Sequence, residues 1–323
     1  MDNRASIRHA GTMANDAYEL FVPSERDHDE LARLIHHSTN TWYERNRGYR
    51  IFTCTPEDCR IFPDFYGELD PGQAIALRCR KDRLIAASCF YHPRITHASL
   101  GIMNVHPEHA GRGLASRLLG EITARAEGAR LPLRLVSSAM NLDSYSLYTR
   151  HGFVPFAIYQ DMLLRVPEEG LPPAAQELPR VRPAGTKDIA AMVDLEMEIA
   201  GIRRPGDIAR FVEDTSGWWR VFVVENPDGS LDGYLASIDH PASRIIGPGV
   251  AHGDATAVAL ARAQLDHFRG LQPLILLPAD RPALSRALHD LGARNCEIHF
   301  AQARGPVPKP TGIVFPTFLP ESG

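Results

Sequence analysis

Apolar residues fall along this chain in bursts of two kinds. Residues 18–22, 73–79, 84–91, 99–105 and 133–136 are runs of strand length, whereas Leu31, Leu34 and Ile35, and later Leu114, Leu118, Leu119, Ile122 and Ala126, recur at helical spacing. The pattern predicts a strand over 18–22, a helix over 27–37 and a hairpin of 73–79 and 84–91 around Arg80-Lys81-Asp82-Arg83. A strand over 99–105 stops at His106-Pro107, and Gly111-Arg112-Gly113 then leads into the second helix. A strand over 133–136, a short helix over 142–150 ended by Gly152 and a strand pair over 154–165 follow. The class is α/β of the mixed (α+β) kind: a mostly antiparallel twisted sheet flanked by helices.

Residues 167–180 contain Pro167, Gly170, Pro172, Pro173 and Pro179 and read as a linker. Beyond it the order of elements repeats. Arg182-Pro183-Ala184 opens a unit as Val22-Pro23-Ser24 did, and a hairpin turns at Asn226-Pro227-Asp228-Gly229. Gly253 stands 140 residues after Gly113, and Gly292 stands 140 after Gly152. Pro183 follows Pro23 by 160, so the second copy lacks about twenty residues near its start. Two punctuation points at one offset indicate an internal duplication, in keeping with the two domains expected of 323 residues. The boundaries are 16–166 for the first domain, 167–180 for the linker, 181–304 for the second domain and 305–323 for a tail. The stretch 312–320 is too apolar to trail in water, so the tail is expected to dock, across the interface between the halves.

Composition narrows the function. A net charge of −4 supplies no basic field to gather nucleic acid or anionic lipid, so neither nucleic acid nor a membrane is an expected partner. No apolar run approaches the ~18 residues that span a bilayer. The N-terminus, with Asp2, His9 and Asp16, lacks the apolar core of a signal peptide. Five cysteines with no Cys-x-x-Cys pair suit reduced thiols, and the cytoplasm is the expected compartment.

Two segments carry chemistry. In Val105-His106-Pro107-Glu108-His109-Ala110-Gly111-Arg112-Gly113-Leu114-Ala115-Ser116 a strand ends at a proline, turns on glycines and enters a helix. Free backbone N–H groups and the positive helix end then meet at one point, an arrangement that holds phosphate. The second segment is Asn141-Leu142-Asp143-Ser144-Tyr145-Ser146-Leu147-Tyr148-Thr149-Arg150-His151-Gly152-Phe153.

Together, in this order and at this distance, the two segments resemble the GNAT superfamily of N-acetyltransferases over about residues 18–165. The resemblance implies two GNAT-like domains and acetyl-CoA as cosubstrate. It places the pyrophosphate on His109, Ala110, Gly111, Arg112, Gly113, Leu114, Ala115 and Ser116, and the pantetheine amides on the backbone of Asn104 and Val105. Asn141 and Ser144 join the coenzyme site, and Tyr148 becomes the acid that protonates the leaving thiolate. A phenol suits that task, because a thiolate of pKa about 8.5–10 leaves close to tyrosine's ~10.

Two positions depart from the family pattern. Ala110 stands where the family usually has Gln or Arg, and Ser99 falls near the usual general base. His97, on the same strand face as Ser99, is a candidate base or else a surface histidine. In the second copy Leu288 replaces Tyr148, Arg281 replaces Asn141 and Asp254 enters the phosphate turn, so that half reads as degenerate.

Trp42, Tyr43 and Arg47 lie after the first helix, where family members build an acceptor pocket; they either contact an acidic or sugar-like acceptor or form an ordinary exposed loop. His92, His97, His106 and His109 have no Cys or carboxylate at ligand spacing in the sequence, so no metal is expected. Cys54 and Cys59 read as buried thiols. The expected activity is transfer of an acetyl group from acetyl-CoA to a primary amine of a small molecule by direct attack in a ternary complex. The alternatives are a non-catalytic coenzyme A-binding sensor or assembly partner, and a protein or peptide N-acetyltransferase.

Overall fold

The computed structural model describes residues 17–319 and 321–322. The polar stretch before residue 17, with the expected domain start at 16, and Pro320 and Gly323 of the tail lie outside them. Through residue 163 the elements run β1 (Tyr18–Phe21), α1 (His28–Arg47), α2 (Ile61–Leu69), β2 (Ile75–Cys79), β3 (Ile85–Cys89), β4 (Tyr91–Pro93), β5 (Ala98–Leu100), β6 (Asn104–Val105), α3 (Leu114–Ala129), β7 (Leu133–Ser138), α4 (Leu142–Arg150) and β8 (Val154–Leu163). From residue 181 they run β9 (Val181–Pro183), α5 (Ile189–Ala200), α6 (Pro205–Val212), β10 (Trp219–Glu225), β11 (Leu231–His240), β12 (Ser243–Ala251), α7 (Asp254–His267), β13 (Leu274–Pro278), α8 (Pro282–Asp290), β14 (Arg294–Arg304) and β15 (Ile313–Phe315), before two short tail strands. Two compact units emerge: one of residues up to Pro93 with Leu100–Arg130, the other of Arg94–Ser99 with everything from Leu131 onward.

In the first unit four strands pair in the antiparallel order β1-β2-β3-β6. α3 buries Leu114, Leu118, Leu119, Ile122 and Ala126, the stripe legible in the sequence. α1 buries Leu31, Leu34 and Ile35 but continues ten residues past His37, closing at Gly48 with φ 77°. The polar run that hid this extension has a local cause: the buried Asn40 amide exchanges two 2.9 Å hydrogen bonds with the backbone of Phe52. α2 escaped the periodicity because its nine residues bury Ile61, Phe62, Pro63, Phe65 and Tyr66 and leave only Asp64, Gly67 and Glu68 as a narrow polar face.

The second unit is one continuous sheet in the order β5-β7-β14-β8-β13-β12-β11-β10-β9. Its registers carry the duplication. Arg134 of β7 pairs with Ala303 of β14, and Leu274 of β13 pairs with Leu163 of β8; moving each residue by 140 turns one pair into the other. The two long strands therefore trade places: β14, from the second copy, fills the slot between β7 and β8 of the first, while β8 pairs with β13 of the second. That exchange is why the compact units do not follow the linker. It also makes 154–163 one ten-residue strand rather than the strand pair read from the sequence.

The tail docks as a strand. Phe315, Val314 and Ile313 pair with Gly249, Val250 and Ala251 of β12, and the Phe318 ring lies 5.0 Å from His299 of β14. Both of these partners belong to the second copy, while the last tail strand, Glu321–Ser322, lies against β7 of the first, so the tail touches both copies. Ile313, Val314, Phe315 and Leu319 are all buried. At about 1.5–3 kcal/mol per buried side chain, deleting residues 312–323 should lower the melting temperature by at least ~5 °C; calorimetry showing an unchanged transition would mean that the tail contributes nothing.

Candidate functional site

β6 ends the four-stranded sheet: Asn104 and Val105 pair with Ser88 and Ala87 on one side, which leaves the other edge outermost. The Asn104 amide donates to Thr39 Oγ1 of α1 at 3.2 Å, while its Oδ1 is buried with no hydrogen-bond partner among the described residues. Pro107 then starts one 3-10 turn to His109, with His106 Nδ1 accepting from the Glu108 N–H at 3.3 Å. Gly111 and Gly113 both lie in the left-handed region, at φ 76° and 78°, and Gly113 begins α3. A Cβ on either would meet nothing within 4 Å. The glycines are thus required by backbone conformation, and the space in front of them is open. No side chain caps α3 and no acidic residue stands in its first turn, so the positive helix end faces that space.

His109 and Arg112 brace this turn from behind. The buried His109 ring holds the Tyr18 hydroxyl through Nδ1 at 2.9 Å. Arg112 donates to the same hydroxyl at 2.9 Å and to the Glu108 carbonyl at 3.1 Å. Arg117 donates to the Tyr18 carbonyl. Tyr18 is therefore the post on which the turn is built, a role its place in a short N-terminal strand did not signal. Ala110, Arg112 and Ser116 are exposed, Ala115 is half-buried and Leu114 packs into the core. Beside the turn a cavity of about 400 Å³ is lined by Arg33, His36, His37, Leu84, Ile85 and His106, among others.

In the second unit Asn141 caps α4, its side-chain oxygen accepting from the Ser144 N–H at 3.1 Å. Tyr148 is buried, its ring 5.8 Å from that of Phe153. His97 is not at the surface but 1% exposed. Burial, and then Arg134, Arg204 and Arg94, hold its pKa well below the usual histidine value. An imidazole facing three guanidinium groups resists taking a proton, so His97 is poorly suited to be a general base.

Trp42, Tyr43 and Arg47 lie on the last turns of α1, not in a loop. Tyr43 is buried between Trp42, at 5.0 Å, and Tyr49, at 5.7 Å, while Trp42 and Arg47 are half-buried.

The second copy shows what becomes of the same elements. Where eight residues from His106 to Gly113 separate β6 from α3, only His252 and Gly253 separate β12 from α7. Gly253 is extended, at φ −142°, and Asp254 opens the helix. The end of β12 that corresponds to β6 is occupied by β15. Arg281, in the place of Asn141, donates to the Gly312 carbonyl at 3.0 Å. The chain's own tail thus fills this cleft.

A strand edge leads through an open glycine turn into an uncapped helix in the first copy, and the same order of strand and helix recurs without that turn in the second. The acetyltransferase (GNAT) family matches residues 35–153, and an acetyltransferase (GNAT) domain matches residues 192–303. Between them they cover more than two thirds of the chain, which belongs to the GNAT superfamily as a tandem protein. A proposed acetyltransferase from Pyrococcus horikoshii is similar in fold, with a TM-score of 0.71 at 14% identity over 92% of both chains. A tandem GNAT protein of the clavulanic acid biosynthesis pathway gives 0.61 at 15% identity over 90% of this chain and 99% of that one. Saccharomyces cerevisiae N-myristoyltransferase with bound myristoyl-CoA gives 0.58 at 14% identity over 91% and 80%. No curated protein sequence matches the chain. Family and fold support acyl-CoA-dependent N-acyltransferase chemistry. No helix among the described residues is long and apolar enough to cross a membrane.

Proposed function

We propose that the chain moves an acyl group, most simply acetyl, from coenzyme A to a primary amine of a small molecule in the cytoplasm, by direct attack in a ternary complex. The observation that carries this reading is the glycine turn: Gly111 and Gly113 are left-handed with open space before them, at the mouth of an uncapped helix. The N–H groups at the start of α3 hold the pyrophosphate. The outer edge of β6 offers the backbone of Asn104 and Val105 to the pantetheine amides, and Asn141 fixes the start of α4. The acyl thioester of coenzyme A supplies the acyl group, and its thiol is the leaving group. Tyr148 gives its phenolic proton to the sulfur as the carbon–sulfur bond breaks. The amine's proton leaves to water, since His97 is held neutral among arginines.

Only the first copy should bind. Calorimetric titration is expected to give one coenzyme A per chain, and Gly113→Glu, which puts a strained backbone and a carboxylate in the turn, should weaken binding at least a hundredfold. Two equivalent sites, or unchanged affinity in that variant, would overturn the assignment. A thiol-release assay with acetyl-CoA and a panel of amines tests turnover; binding without release under every amine would instead favour a coenzyme A sensor.

A further inference from the structure

The sequence places no cysteine or carboxylate at ligand spacing from His109, but the fold brings both to it. The hairpin between β2 and β3 turns at Arg80-Lys81-Asp82-Arg83, and it brings Cys79 and Asp82 against His109, the residue two before Gly111. Cys79 Sγ, one Asp82 oxygen and a His109 ring nitrogen all lie within 4.8 Å of one another. His109 Nε2 and Asp82 Oδ2 are 3.5 Å apart. The Leu84 N–H donates to Asp82 Oδ1 at 3.0 Å, which fixes the carboxylate. That bond, more than the Cys79 thiol or His109, holds its pKa below the usual value.

We infer that Cys79, Asp82 and His109 form a binding site for a divalent ion of the zinc class, with a fourth position open to water. Sulfur, imidazole and carboxylate together are the donor set of tetrahedral zinc. Bonds of about 2.0–2.3 Å put tetrahedral ligand atoms roughly 3.5 Å apart, the spacing His109 and Asp82 already have, and all three atoms lie within 4.8 Å of one another.

The other ring nitrogen of His109 already has the partner that zinc-bound histidines use. Nδ1 meets the Tyr18 hydroxyl at 2.9 Å. Arg112 donates to that oxygen, which leaves it a lone pair to accept Nδ1–H, and this tautomer frees Nε2 for the ion. As the sulfur–metal bond forms, the Cys79 thiol loses its proton to solvent, so one proton leaves per ion bound. The ion ties the hairpin to the back of the glycine turn, its two positive charges balanced by the Cys79 thiolate and the Asp82 carboxylate. The inference does not depend on the acyl-transfer reading, because binding is measured without substrate.

The test is cobalt(II) added to chelator-stripped, full-length protein. One ion per chain is expected, with thiolate-to-cobalt charge-transfer absorption and release of one proton; zinc should displace it. Cys79→Ser should abolish that absorption, while His37→Ala, outside the cluster, should leave it intact. Asp82→Ala, on an exposed turn where folding is not at risk, should weaken binding at least tenfold. Absence of the charge-transfer band in folded wild-type protein, its persistence in Cys79→Ser, or undiminished affinity in Asp82→Ala would each overturn the site.

Discussion

Tyr148→Phe should slow acyl transfer by roughly ten- to a thousandfold, the range of a lost general acid, with coenzyme A affinity nearly unchanged. The substitution removes one hydroxyl from a buried ring that packs beside Phe153, so the aromatic contact that seats α4 survives. Steady-state kinetics paired with calorimetry separates the outcomes. A fall in kcat with constant affinity assigns the proton to Tyr148, whereas an unchanged kcat at pH 7 reduces it to packing. Leu288→Met, at the equivalent place in the second copy, should leave kcat alone.

A fragment ending at Val166 should not exist as a folded monomer. Cutting there removes β14, which fills the slot between β7 and β8 and pairs with both. Two bare strand edges with apolar neighbours are templates for another chain. Because β8 is the counterpart of β14, a second fragment can lend its β8 to the vacant slot, and a strand-exchanged dimer or aggregate is the expected product. Light scattering after size exclusion reads this directly; a monomer that melts cooperatively within a few degrees of the full chain would show that β8 moves over to pair with β7 unaided.

The parts legible in the sequence were those written in local terms. The α3 stripe, the glycine turn and the 140-residue offset are patterns of neighbours, and each appears as read. What escaped reading was set by distant partners. The extension of α1 rests on Asn40 meeting Phe52. Tyr18 buttresses a turn about 90 residues away through His109 and Arg112. His97 is buried and feels the charges of Arg134, Arg204 and Arg94, and no local pattern distinguishes such a histidine from an exposed one. The exchange of β8 and β14 leaves no trace in either strand alone, since alternation fixes which side chains face inward but not which copy supplies the neighbour.

The tail gives the order of synthesis a structural meaning. β12 receives this partner only when residues 313–315 have been made, about sixty residues after β12 itself. Until then the second copy holds an unpaired edge, and its cleft stands open. A stop before residue 312 therefore acts as damage to the core of the fold.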